Sequence, residues 1–115
     1  MVDDQQWKRL FKVEFLDDVV DFLSKVDPKA AKKIIYNIDK ASFTQDPVLL
    51  KKLSGEIWEF RTRFSNNQYR MLAFWDRRES NNTLIICSHG FIKRTKKVPE
   101  KAIIRAKRSR YKYFK

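Results

Sequence analysis

Three short stretches, residues 56–64, 69–76 and 83–88, carry most of the aromatic and branched side chains in the second half of the chain, and only SNNQ and RRESNN separate them. Each stretch has the length and residue types of a β-strand, and each separator is a turn-rich cluster. Connections this short leave sequential antiparallel hairpins as the economical arrangement. Alternate side chains of a strand share a face. In the first strand Trp58, Phe60, Thr62 and Phe64 therefore lie on one side, as core, while Ile57, Glu59, Arg61 and Arg63 lie on an exposed or cleft-forming side. Arg70, near the start of the next strand, is expected close to Arg63 or Arg61 across the ladder. Like charges so placed repel unless an anion sits between them or Glu59 neutralises them. Strand pattern alone does not choose between a solvated sheet face and a phosphate site.

Upstream the periodicity is helical. Residues 7–13 (WKRLFKV) suit an edge strand. From Glu14 the apolar positions Phe15, Val19, Phe22, Leu23 and Val26 make one stripe, with Asp17, Asp18 and Asp21 facing outward. Asp27 is placed to cap a second helix, and Pro28 fits its first position, where no backbone N–H is needed. The second stripe reads Ala31, Ile34, Ile35, Ile38 and Ala41. A connection this short makes the two helices an antiparallel hairpin. Pro99 opens a last helix, with Ala102, Ile103 and Ala106 inward and basic residues around the rest. The expected class is α+β: a helical hairpin on a twisted, mainly antiparallel sheet, closed by a basic C-terminal helix.

Length, 115 residues, fits one domain spanning 1–115. The net charge of +12 calls for a polyanionic partner, with RNA, DNA and an acidic protein as candidates. Most of that charge is C-terminal: residues 91–115 hold eleven Lys/Arg against one acid, Glu100. Cys87 is the single cysteine and His89 the single histidine, so neither an intrachain disulfide nor a Cys/His metal site can be assembled. No cofactor is expected. A reducing cytosol is the expected compartment, since the N-terminus lacks an apolar signal core and no apolar run is long enough to span a bilayer.

His89-Gly90-Phe91 follows the third strand. An unperturbed histidine titrates near neutrality, so His89 is either a proton-transfer group or a structural polar contact. Lys93, Arg94, Lys96 and Lys97 then form a dense cationic loop, a solvated surface unless the fold brings it beside Arg61 and Arg70.

Taken in order, KKLSGEIWEFRTRF (51–64), YRMLAFW (69–75) and CSHGFIKRTKKVP (87–99) resemble the RelE/HigB superfamily of bacterial toxins, most closely its phage-derived HigB-like branch. The resemblance implies a compact RelE-like fold and the toxin of a type II toxin–antitoxin system. It implies a metal-independent mRNA endoribonuclease, ribosome-dependent and acting in the A site, in which the ribose 2′-OH attacks the adjacent phosphodiester. By motif match it assigns phosphate and transition-state binding to Arg70, Arg61 and Lys93. Our own reading adds His89 and Glu59 as proton-transfer groups. Arg63, Arg94, Lys96, Lys97, Arg105 and Arg108 are the expected RNA- or ribosome-binding cations. The implied partners are mRNA on the ribosome and a cognate antitoxin of the helix-turn-helix, HigA-like kind. Some relatives use a C-terminal tyrosine, for which Tyr111 and Tyr113 are available. Two other functions stay open: a ParE-like gyrase poison and a non-catalytic RNA-binding module.

Overall fold

The computed structural model describes residues 8–79, 82–86, 91–92 and 96–115. Its elements are β1 (Lys12–Phe15), α1 (Asp17–Lys25), α2 (Pro28–Thr44), β2 (Leu50–Ser54), β3 (Ile57–Phe64), β4 (Asn67–Asp76), β5 (Thr83–Ile86), β6 (Phe91–Ile92) and α3 (Glu100–Phe114). The sheet runs β1-β5-β4-β3-β2, with β6 paired to β4. All pairings are antiparallel except β1 with β5, so the sheet is mixed and the class is α+β. Among the described residues no helix is long and apolar enough to cross a membrane.

The β3–β4 hairpin turns through Ser65 and Asn66, both at positive φ (51° and 66°). Phe64 pairs directly with Asn67, so this is a two-residue loop whose twist matches that of the strands. The SNNQ reading holds for the turn but not for its extent: Asn67 and Gln68 already belong to β4, and the two-residue loop fixes which residues face each other across the ladder. At the other end of β3, Gly55 supplies the positive φ (55°) that the turn from β2 requires.

Side chains sort onto two faces as alternation demands. Phe60, Tyr69, Met71, Ala73, Trp75, Leu84 and Ile86 pack with Val19 of α1 and with Ala30, Ile34, Ile38 and Ala41 of α2. Trp58 and Phe64 join that core partly buried. The opposite face gathers Ile57, Leu72, Phe74 and Ile85 against Ala106 of α3, with Ala102, Ile103, Tyr113 and Phe114 around them. The sheet is thus covered by α1 and α2 on one side and by α3 on the other.

Several expectations need correcting. The first strand lies at Lys12–Phe15 and not at 7–13, of which residue 7 falls outside the described part. Phe15 belongs to that strand, and α1 starts only at Asp17. In α2, Asp27 accepts from the Lys29 backbone N–H (2.9 Å) and Pro28 takes the first turn, as expected. The buried stripe is nevertheless rotated. Ala30 and Asn37 face the core, Ile35 is 47% exposed and Ala31 is only half-buried. Asn37 can hold a core position because its amide donates to Thr62 Oγ1 (3.2 Å), which satisfies a group otherwise costly to bury. Two strands escaped the sequence reading altogether. The Lys-rich β2 is an edge strand whose exposed Lys51 and Lys52 discourage further pairing, and β6 has only two residues.

Candidate functional site

On the α3 side of the sheet the apolar packing stops short of the hairpin turn. Ile57, Leu72 and Phe74 are covered, but one step further along β3 and β4 come Glu59, Arg61, Arg63 and Arg70. Arg61 and Arg70 sit directly opposite each other in the register. Glu59 lies on the diagonal and ion-pairs with the Arg70 Nε, while Arg61 Nε stands 3.9 Å from the same carboxylate oxygen. The pair is sequestered, with the side chains of Arg70 and Glu59 only 5% and 8% exposed, whereas that of Arg61 is 36% exposed. Arg70 also donates to Gln68 Oε1 (2.8 Å) and to its neighbour's carbonyl, Tyr69 O (3.4 Å).

This arrangement has an electrostatic consequence. Burial lowers the Arg70 pKa first; Arg61 and Arg63 push it the same way, against Glu59, which raises it. A guanidinium nonetheless stays charged at any working pH. Two guanidinium groups, Arg70 and Arg61, therefore share the Glu59 carboxylate with Arg63 close enough to add its charge, and the cluster keeps an excess of positive charge that an incoming anion would neutralise.

The expected loop cations lie alongside. Lys96 and Lys97 line a cavity of about 360 Å³ together with Lys51, Glu59 and Arg61, closed at the back by Val98 and Ile103. Arg61 thus faces both Glu59 and the Lys96–Lys97 arm. A second crevice, of about 500 Å³, opens at the outer edge of β3 and is lined by Lys33, Arg61, Arg63 and Arg70, with no carboxylate among the described residues that line it. Two cavities meeting at Arg61 make it the shared cation of the site.

The remaining candidates separate. His89, Lys93 and Arg94 lie outside the described residues. Backbone pairing brings β6 beside the cluster, Phe91 opposite Arg70 and Ile92 opposite Tyr69. Arg105 is tied to Asp18 of α1 (3.0 Å), and Arg108 is exposed on the outer face of α3, so neither joins the cluster around Arg61. Tyr113 donates to Asp76 Oδ2 (2.8 Å), six positions along β4 from Arg70, roughly 20 Å at strand rise. Asp76 also accepts from Arg78 Nε (3.0 Å) and Nη2 (2.9 Å), whose hydrogen bonds chiefly hold its carboxyl well below the usual range. Burial, then the bond to Asp76, raises the Tyr113 phenol. Tyr113 is therefore a strut between α3 and β4, remote from the arginines.

Sequence reasoning missed Lys33, Asn37, Thr62 and Gln68 as lining residues. One signal was available: Asn37 interrupts an apolar helical stripe, and a polar residue there needs a partner. Among the described residues no group of three or more His, Cys, Asp or Glu is placed to hold a metal ion.

None of the curated proteins matches the chain. Among models of known families, the one described as phage derived protein Gp49-like (DUF891) matches residues 21–112, from within α1 to within α3. That span takes in Glu59, Arg61, Arg63, Arg70, Lys96, Lys97, Arg105 and Arg108, and ends just short of Tyr113. A match over so much of the length shows that the chain belongs to the phage-derived Gp49-like family, which stands among the RelE/HigB-like toxins in general.

Proposed function

We propose that the chain is the toxin of a type II toxin–antitoxin pair and an endoribonuclease that cleaves mRNA on the ribosome. The observation that carries this reading is Arg61 facing Arg70 across the ladder over one buried carboxylate, beside Lys96 and Lys97. In the reaction the 2′-oxygen forms a bond to the adjacent phosphorus and gives up its proton, the bond from phosphorus to the 5′-oxygen breaks, and that oxygen takes a proton. The products are a 2′,3′-cyclic phosphate and a 5′-hydroxyl. Charge accumulates on the non-bridging oxygens on the way, and preorganised cations stabilise it more than they stabilise the ground state.

Arg61 is the group accessible enough to meet those oxygens, and its planar fork suits two of them. The nearly buried Arg70 reaches the same space from behind, held by Glu59 and Gln68. Glu59 then acts as a positioning residue: it fixes Arg70 and sets the distance between the two guanidinium groups. Lys96 and Lys97 hold the chain on the far side of Arg61. His89 and Lys93, expected to supply proton transfer and a further cation, lie outside the described residues, so the reading rests on the arginines. The partner expected with it is an antitoxin carrying acidic surface toward this excess of cations.

A second reading, non-catalytic RNA binding, draws on α3, which exposes Lys101, Lys107, Arg108 and Lys112. Mapping RNA 5′ ends after brief expression separates the two. The nuclease reading expects new 5′ ends within coding regions for the parent chain and none for Arg70→Ala, with growth arrest lost in parallel. Intact transcripts with the folded parent protein sink it.

A further inference from the structure

Resting on the RNA-cleaving reading, we infer that the crevice between α2 and the outer edge of β3 is a second subsite, which takes a nucleotide of single-stranded RNA next to the cleaved phosphodiester. β2 pairs with β3 only as far as Phe60, and Arg61 N–H still reaches Leu49 O (2.7 Å). Beyond that point the β3 edge lies open to the roughly 500 Å³ crevice, where both faces of the strand are accessible at once.

The floor is made of buried polar groups. Asn37 and Thr62 are 6% and 3% exposed, joined by their own hydrogen bond, and Arg70 and Gln68 sit beside them. Thr62 occupies Asn37 Nδ2, and Arg70 occupies Gln68 Oε1. Among the described residues this leaves Asn37 Oδ1 as an acceptor and the Gln68 amide nitrogen as a donor. An apolar side chain at position 37 would suit a purely structural contact better; an amide pair on the floor of a cationic cleft can meet the edge of a base.

The walls carry charge of one sign. Lys33, Arg61 and Arg63 surround the opening and, among the described residues, no carboxylate lines it, so it suits a phosphate. Next to the lining residue Lys33 on α2 stands Tyr36, 61% exposed and outside the crevice lining itself, with the Lys33 ammonium 5.2 Å from its ring centroid. Positions 33, 36 and 37 are neighbours on one face of α2, so phosphate cation, aromatic ring and amide floor belong to one helical turn. A phosphate-binding cation beside an exposed aromatic face and an amide is the combination that holds single-stranded RNA through backbone, stacking and base edge together. Because Arg61 also lines the cavity of Lys96 and Lys97, a strand passing over it would lie in both cavities.

The test is anisotropy binding of a labelled 2′-O-methyl RNA hexamer, which cannot be cleaved by its own 2′-oxygen. Tyr36→Ala, a change at an exposed position, is expected to weaken binding about tenfold through lost stacking. Lys33→Ala is expected to flatten the log-log salt dependence by about 0.7, one phosphate contact on a single strand. Lys12→Ala, the same charge change on β1 at the other edge of the sheet, serves as control and should leave both quantities near the parental values. Tyr36→Ala and Lys33→Ala proteins that bind like the parent overturn the subsite, as does a Lys12→Ala protein weakened as much as they are. If cleavage in cells persists while these binding changes are absent, the subsite falls and the nuclease reading stands. A parent chain that binds no hexamer also removes the subsite, and the RNA 5′ ends then decide the nuclease reading separately.

Discussion

Replacing Glu59 by glutamine keeps the volume of the side chain but removes the carboxylate that Arg61 and Arg70 share. With the side chains of Glu59 and Arg70 only 8% and 5% exposed, Arg70 would be left charged and largely desolvated, facing Arg61 directly across the ladder. Breaking a buried pair by removing one partner costs about 3–5 kcal/mol. The glutamine oxygen still accepts a hydrogen bond, and the crevice beside Arg70 admits water, so the expected loss is about 2–3 kcal/mol. At an unfolding entropy of about 2.1 cal/mol/K per residue, a chain of 115 residues then loses roughly 8–12 °C in Tm. Urea and thermal unfolding at fixed ionic strength measure both quantities. The same reasoning expects two rescues. Adding Arg70→Met to Glu59→Gln should recover most of the loss, because the uncompensated charge is gone. Inorganic phosphate should raise the Tm of Glu59→Gln more than chloride at equal ionic strength, because an anion bound between Arg61 and Arg70 replaces the missing carboxylate. A Glu59→Gln protein within about 0.5 kcal/mol of the parent, with neither rescue, would refute the reasoning.

Asn37→Ala should cost about 1–3 kcal/mol in urea unfolding, since it leaves the buried Thr62 hydroxyl unpaired; Asn37→Ala combined with Thr62→Val should cost less than the two single changes summed. Ser65→Gly should stabilise by about 0.5–1 kcal/mol, read from the shift of the urea midpoint, because Ser65 holds a positive φ that glycine adopts freely. The Tyr113 phenol, raised in the folded state by burial and then by Asp76, contributes stability that is complete below its unfolded pKa of about 10 and is lost as pH rises through the folded value. Tyr113→Phe should therefore flatten the fall in unfolding midpoint above about pH 10. Asp76, depressed by its bonds to Arg78 and Tyr113, works in the opposite sense. Its contribution is present above the unfolded carboxyl value of about 3.9 and is lost as pH falls, so Asp76→Asn should reduce the slope of the acid limb.

What was legible in the sequence is what local chemistry dictates. Period-two alternation separated Trp58, Phe60 and Phe64 from Ile57, Glu59, Arg61 and Arg63, although Ile57 is buried in the second core, and it brought Arg70 near Arg63 or Arg61, a choice the two-residue loop at 65–66 settles on Arg61. Asp27-Pro28 marked the start of α2 for the same kind of reason. What escaped depends on contacts distant in the chain. Lys51-Lys52 carried no strand signal because an edge strand needs no apolar alternation, and only pairing with 58–59 makes it β2. Asn37 displaced Ile35 from the buried stripe of α2 because Thr62, 25 residues away, offers it a partner. The burial of the Arg70–Glu59 pair was equally out of reach. Alternation gives the face a residue occupies, but how deeply it sits there depends on the segments packed around it, and the sequence pattern does not specify them.

The account comes down to Arg61, the half-exposed cation at which both cavities meet and which the buried Arg70–Glu59 pair holds in place. The direct test is the rate at which purified protein cleaves mRNA on programmed ribosomes, measured for the parent and for Arg61→Ala beside their urea unfolding curves. Loss of one preorganised transition-state cation predicts a rate lower by about 10²–10³-fold with stability changed by less than about 0.5 kcal/mol. Cleavage by Arg61→Ala at the parental rate would contradict the account.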